Sequence, residues 1–160
     1  MSIRVGIGYD CHPFAADRRL VLGGVEIAHE RGLAGHSDAD VLTHAVVDAL
    51  LGAAALGDLG EHFPEADERY RDADSLQLLA RVVELLTSRG LVVGNVDATV
   101  IVEAPRISPY RDRMRESLAT ALGVEAARVS VKATTGEGMG FIGRGEGAAA
   151  LAVATVEADR

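Results

Sequence analysis

Asp10, His12 and His44 are the residues whose types and spacing point most directly to chemistry. Side chains two apart on an extended strand project to the same side, so Asp10 and His12 converge while Cys11 points away. Pro13 is expected to stop the regular strand ladder just beyond them. His44 falls in a segment of helical period, where Asp40, His44 and Asp48 recur every four residues and share one face. Val41, Ala45 and Ala49 beside that face are candidate core. One carboxylate and two imidazoles form a three-ligand set for a catalytic cation, with a coordination position left open for substrate. The alternative is a hydrogen-bonded Asp10–His12 pair next to a satisfied core histidine. The three together, with His36 nearby in sequence, favour the metal. The same ligand types also suit a non-haem Fe(II) oxygenase, which would bind iron and need O2.

A second group lies between Lys132 and Glu146. Lys132 is the only lysine in the chain, and a lone compact ammonium can mark a special site or arise by chance. Thr134 and Thr135 offer hydroxyl and backbone donors at the end of a strand. Glu137 offers a carboxylate for an oxygen-liking cation such as Mg2+ or Mn2+. Gly138, Gly140, Gly143, Gly145 and Gly147 allow close backbone approach to a ligand, or simply make a flexible loop. Arg144 is placed either to bind phosphate oxygens or to pair with Glu146.

Other functions are disfavoured. Gly6-x-Gly8 resembles part of a dinucleotide fingerprint, but Cys11 stands at its third glycine and Pro13 blocks the following helix. No Walker A sequence is present. The formal net charge of −8 argues against non-specific nucleic-acid binding. A single cysteine rules out an intramolecular disulfide. The N-terminal stretch lacks signal-peptide character, and no apolar run is long enough for a membrane span. A cytoplasmic protein is expected.

The 160 residues read as one domain, 1–160. Ile3 to Ile7 reads as a buried first strand. Arg19–Leu22 and Val25–Ala28 flank Gly23-Gly24 as a hairpin. Ser37 to Ala55 reads as a helix with a cap signature in Ser37 and Asp40. Gly57 to Asp74 is irregular and acidic. Ser75–Arg89 is a second helix stopped by Gly90, and Leu91–Val102 is β-rich. Pro109–Leu122 is a third helix ended by Gly123, and Val129–Ala133 is a strand. Gly136–Gly147 is a glycine-dense loop. Ala148–Val156 fits strand or helix, and strand is chosen because the β-rich segments need a partner. The class is α+β: a mixed sheet packed on one side by about three helices.

Four stretches carry a resemblance: RVGIGYDCHPF (4–14), GHSDADVLTHAVVDALLGAAALGDLGEHFPE (35–65), GNVDATVIVEAP (94–105) and VKATTGEGMGFIGRGEG (131–147). With these, the chain resembles the 2-C-methyl-D-erythritol 2,4-cyclodiphosphate synthase family from about Arg4 to Val156. The resemblance implies a phosphorus–oxygen lyase of the non-mevalonate isoprenoid pathway. Its substrate is 4-diphosphocytidyl-2-C-methyl-D-erythritol 2-phosphate, and its products are the cyclic diphosphate and CMP. It also implies zinc or manganese on Asp10, His12 and His44, and a second cation, Mg2+ or Mn2+, near Glu137. His36 and Thr135 match positions that stabilise the transition state, and Ser37 matches a substrate contact.

Further substrate positions follow from the same resemblance. Asp58, Leu59 and Gly60, then Phe63, Pro64, Glu65, Ala66 and Asp67, match the substrate segment. Val102, Glu103, Ala104, Pro105 and Arg106, extending to Ser108, match the cytidine pocket, with Lys132, Ala133 and Thr134. Phe141 and Arg144 match a central cavity for isoprenoid diphosphates. The family is a homotrimer with sites between subunits. Gly136, Gly138 and Arg106 depart from its common Thr, Lys and Lys, which implies a more mobile loop and altered nucleotide affinity. A non-catalytic trimer binding isoprenoid diphosphates is the competing reading; it would bind ligand without releasing CMP.

Overall fold

A long strand, β1 (Ile3–Ala15), and a nearly all-buried helix, α1 (Val41–Ala54), set the architecture. The computed structural model describes residues 2–159; Met1 and Arg160, the ends of the expected domain, lie outside the described residues. The expectation that Ile3–Ile7 is buried is corrected: Ile3, Val5 and Ile7 are 62, 65 and 70 % exposed in the chain. Their inner-face neighbours are Gly6 and Gly8. A Cβ at Gly6 would stand 2.0 Å from the Ala49 carbonyl oxygen, and one at Gly8 1.9 Å from that of Ala45. Only glycine lets a helix backbone approach a strand this closely. Strand alternation then sends the apolar side chains outward. Gly8→Ala is expected to cost about 3 kcal/mol by overpacking. That corresponds to a fall of roughly 6–12 °C in the thermal melt, read by circular dichroism.

Pro13 does not end the strand. It pairs with Gly147 in the ladder, and its carbonyl accepts Ala34 N–H at 2.8 Å. Its nitrogen therefore faces the short edge strand β4 (Gly32–Leu33), where a missing donor is tolerated. Between β1 and β4 the hairpin strands β2 (Leu20–Leu22) and β3 (Val25–Ile27) pair antiparallel as expected. The turn residues Gly23 and Gly24 both have positive φ, 57° and 73°, as a tight two-residue turn requires.

Helix α1 starts later than the Ser37 cap signature implied, because Asp40 alone caps it. The Asp40 carboxylate is fully buried and accepts four hydrogen bonds. These come from Gly23 N at 2.9 Å, Gly24 N at 2.8 Å, Thr43 N at 3.0 Å and Thr43 Oγ1 at 2.7 Å. It thus ties the hairpin to the helix instead of joining His44 at the site.

The acidic segment after α1 holds one helical turn, α2 (Leu59–His62), and a 3-10 turn at Glu68–Tyr70. Next come α3 (Ser75–Ser88), β5 (Leu91–Ile101), α4 (Arg111–Leu122) and β6 (Val129–Thr134). A 3-10 turn at Ser108–Tyr110 leads into α4, so the helix proper begins two residues after Pro109. The glycine-dense loop contains a helical turn, α5 (Gly140–Gly143), before the last strand, β7 (Gly147–Ala158).

The sheet order is β4-β1-β7-β5-β6. Only β5 and β6 are parallel; β4–β1, β1–β7 and β7–β5 are antiparallel. The choice of strand for the last apolar segment holds, and β7 is the central strand. Its inner face is Ala148, Ala150, Ala152, Ala154 and Val156, small enough for α1 to lie close. Helix α3 covers the other side of α1 with Leu78, Leu79, Val82 and Leu86, spaced as one buried stripe. The architecture is a mixed α+β domain with helices on one face. The outer face carries Ile3, Val5, Ile7, Tyr9, Leu151 and Val153, all exposed. Among the described residues no helix is long and apolar enough to cross a membrane.

Candidate metal centre and substrate hollows

The later part of β1 and the first turn of α1 bring Asp10, His12 and His44 together, with donor atoms all within 4.8 Å of one another. Asp10 Oδ2 lies 3.0 Å from both His12 Nε2 and His44 Nδ1. Burial by itself would raise the Asp10 pKa. The close pairing with His12 and then His44 outweighs it and brings the group down to about 2. The bond to Asp10 in turn raises the His12 pKa, against the opposing effect of burial. A carboxylate kept ionised between two imidazoles is a donor set that fits a divalent cation.

A cavity of about 110 Å³ opens beside these residues, lined also by His36, Ser37, Asp48, Leu59, Phe63, Glu65, Tyr70 and Leu78. His36 is oriented by donating Nε2–H to the Asp67 carbonyl at 3.2 Å. Phe63 is edge-on to Tyr70, with ring centroids 5.3 Å apart. Asp48 accepts Leu59 N–H at 2.7 Å and so anchors the start of α2. Its pKa is raised, first by burial and further by Asp58 and Asp10, with the Leu59 hydrogen bond opposing. Asp58 caps α2 by accepting Glu61 N–H, and the half-buried Asp67 pairs with the exposed Arg69. Neither Asp58, Gly60, Pro64, Ala66 nor Asp67 lines the cavity. Asp48 reaches the cavity from the His44 face of α1, and its i+4 spacing from His44 is the sequence signal for it. Tyr70 and Leu78 carried none, since both reach the cavity only through folding of the 57–74 segment and α3.

The second group forms a different hollow, of about 270 Å³, lined by Val102, Glu103, Pro105, Arg106, Ile107, Ser108, Ala133, Thr134 and Thr135. It shares no lining residue with the metal cavity. Ala104 is not on its wall. Lys132 projects elsewhere and pairs with Asp97 at 2.8 Å. Glu137 approaches Thr135, whose Oγ1 donates to Glu137 Oε1 at 3.4 Å. Arg144 takes the pairing alternative, with Glu146 at 3.0 Å, and Phe141 is partly exposed on α5.

Glu103 also pins the glycine loop, its two carboxylate oxygens accepting Gly136 N at 2.9 Å and Gly138 N at 3.2 Å. Two charge-assisted bonds replace the rigidity expected to be lost with threonine and lysine. Glu103→Ala should speed hydrogen exchange at the Gly136 and Gly138 amides by about tenfold or more. Unchanged exchange would mean that the carboxylate does not hold the loop.

The YgbB family profile matches residues 3–157. The chain belongs to the YgbB family. Similar YgbB-family relatives include the 2-C-methyl-D-erythritol 2,4-cyclodiphosphate synthase of Salinibacter ruber, 58 % identical over 97 % of this chain and 99 % of that one. The enzyme of the same name from Alkaliphilus oremlandii is 55 % identical over 96 % of this chain and 98 % of that one. Among solved structures, the IspF–CDP complex of Plasmodium falciparum superposes with a TM-score of 0.87 at 31 % identity. It covers 99 % of this chain and 98 % of that one. The α+β architecture and the family expected from the sequence motifs are therefore those found.

Proposed function

We propose that this YgbB-family chain is an enzyme converting 4-diphosphocytidyl-2-C-methyl-D-erythritol 2-phosphate into 2-C-methyl-D-erythritol 2,4-cyclodiphosphate and CMP, in the cytoplasmic non-mevalonate route to isoprenoids. The observation that carries this is near-full-length similarity to enzymes of that name, in a chain that converges Asp10, His12 and His44 on one point. In the reaction an oxygen of the substrate's 2-phosphate attacks the β-phosphorus. The bond from that phosphorus to the cytidylyl phosphate breaks, and CMP leaves with the electron pair. The reaction is classed as a phosphorus–oxygen lyase step. No protein nucleophile is needed.

What the chain must do is hold two charged phosphates in line. A divalent cation on the triad, zinc or manganese, with Mg2+ or Mn2+ near Glu137, supplies charge neutralisation when bound. Asp10 is ionised well below neutral pH and can hold such an ion. Ser37, Leu59, Phe63 and Glu65 form walls against which the methylerythritol end can be folded, with Asp58, Gly60, Pro64, Ala66 and Asp67 shaping the segment behind them. His36 and Thr135 serve to stabilise developing phosphate charge, Thr135 by turning its hydroxyl from Glu137 to the substrate. The Val102–Arg106 and Ala133–Thr134 hollow receives cytidine, a reading supported by the CDP named for the similar P. falciparum complex.

The metal cavity and the nucleotide hollow are separate within one chain. A homotrimer that sets one chain's cavity against its neighbour's hollow unites them. The exposed apolar outer sheet face supports this assembly, with Phe141 and Arg144 toward a central cavity for an isoprenoid diphosphate. The test is phosphorus NMR of the metal-loaded protein with the named substrate. CMP and a cyclic diphosphate should appear together; ligand binding without CMP would favour the non-catalytic trimer.

A further inference from the structure

His44 is gripped at both ring nitrogens. Nδ1 lies 3.0 Å from Asp10 Oδ2, while Nε2 meets Ser75 Oγ at 2.8 Å and Ser37 Oγ at 3.1 Å. An imidazole binds a cation only through a nitrogen that carries no proton, so the partner of the other nitrogen decides which atom is free.

Ser75 supplies that decision. Its single hydroxyl proton goes to Asp38 Oδ1, so toward His44 its oxygen can only accept. Asp38 cannot swing away, because its carboxylate also accepts Ser75 N–H at 2.9 Å and Asp40 N–H at 3.2 Å. Ser37 Oγ already accepts Ala39 N–H at 3.3 Å and can take a share of the same Nε2–H. The hydrogen of the neutral ring therefore sits on Nε2, which leaves the Nδ1 lone pair for a cation shared with Asp10 and His12. Asp10 Oδ2 and Nδ1 are then two electron-rich atoms 3.0 Å apart, an arrangement that calls for a positive charge beside both. Ser75 is completely buried as the first residue of α3. The packing of α3 on α1 thus fixes the geometry of a ligand on α1.

We infer that Asp38 and Ser75 are positioning residues that hold His44 as its Nε2–H form and make Nδ1 its ligand atom. This rests on reading Asp10, His12 and His44 as a cation site.

The test uses the full chain labelled with 15N-histidine and loaded with zinc. In the wild type, long-range 1H–15N spectra should show His44 with its hydrogen on Nε2, exchanging slowly with water. Ser75→Ala should speed that exchange at least about tenfold and weaken zinc binding by about 10–100-fold, as loss of an outer partner does. Ser75→Thr, which keeps the hydroxyl, should restore both. Asp38→Asn, which keeps the shape but not the charge, should weaken zinc in the same direction. A wild-type spectrum with the hydrogen on Nδ1 overturns the inference even if Ser75→Ala fails to fold. So does a folded Ser75→Ala that keeps the wild-type zinc affinity. A wild type that takes up no zinc overturns the cation site itself, and that outcome is distinct from both others.

Discussion

His44→Ala should abolish zinc retention and lower CMP release by about 10³-fold or more, the order expected when a main source of transition-state charge stabilisation is lost. The helix that carries it should survive. Twelve of the fourteen α1 residues are buried, and most of that burial is apolar contact that the substitution leaves in place. The lost ring leaves Asp10, Ser37 and Ser75 beside a polar cavity that water can fill. A stability loss of about 1–2 kcal/mol follows from the broken hydrogen bonds. Elemental analysis after gel filtration, a CMP assay and a thermal melt separate the three effects. A folded variant that turns over normally without metal would remove the triad from the mechanism.

Ile7→Glu should convert the proposed trimer to monomers and lower turnover by about 100-fold or more, since it removes half of each site from the other. In the isolated chain Ile7 is 70 % exposed, where a substitution ordinarily changes stability by less than about 0.5 kcal/mol. Its cross-strand neighbour is Val153, and the next outward pair is Tyr9 with Leu151. In an assembly that covers this patch, an unpaired carboxylate would be desolvated at a cost of several kcal/mol. Light scattering reads the mass, and circular dichroism should remain that of the wild type. A stable monomer with full activity would show that each chain carries a complete site and would end the shared-site reading.

Much of this protein is legible along the chain. Local rules suffice for the Gly23-Gly24 hairpin, for the α3 stripe from Leu78 to Leu86 and for the convergence of Asp10 with His12. In each case the residues lie within one turn, one helix or one strand, where period and turn chemistry act directly. The specific stretches at 4–14 and 35–65 carry the family as well. His44 could be nominated from sequence because its partners are few in type, although 34 residues separate it from Asp10.

Other features were decided only when the chain closed on itself. The direction faced by Ile3, Val5 and Ile7 depends on which side of β1 receives α1. Alternation gives two equivalent faces, and the glycine contacts with Ala45 and Ala49 choose between them. Asp40, one turn before His44 on the same face, was legible as a helix cap, but its tie to the hairpin was not. It also serves the hairpin because folding brings the Gly23 and Gly24 amides to its carboxylate. Lys132 and Arg144 found Asp97 and Glu146, surface partners that no spacing rule ranks above a ligand. Ser75 and Asp38 gave no signal at all. A hydroxyl becomes a proton acceptor for His44 only when α3 is laid against α1, and such long-range geometry is a property of packing, with no local pattern to announce it.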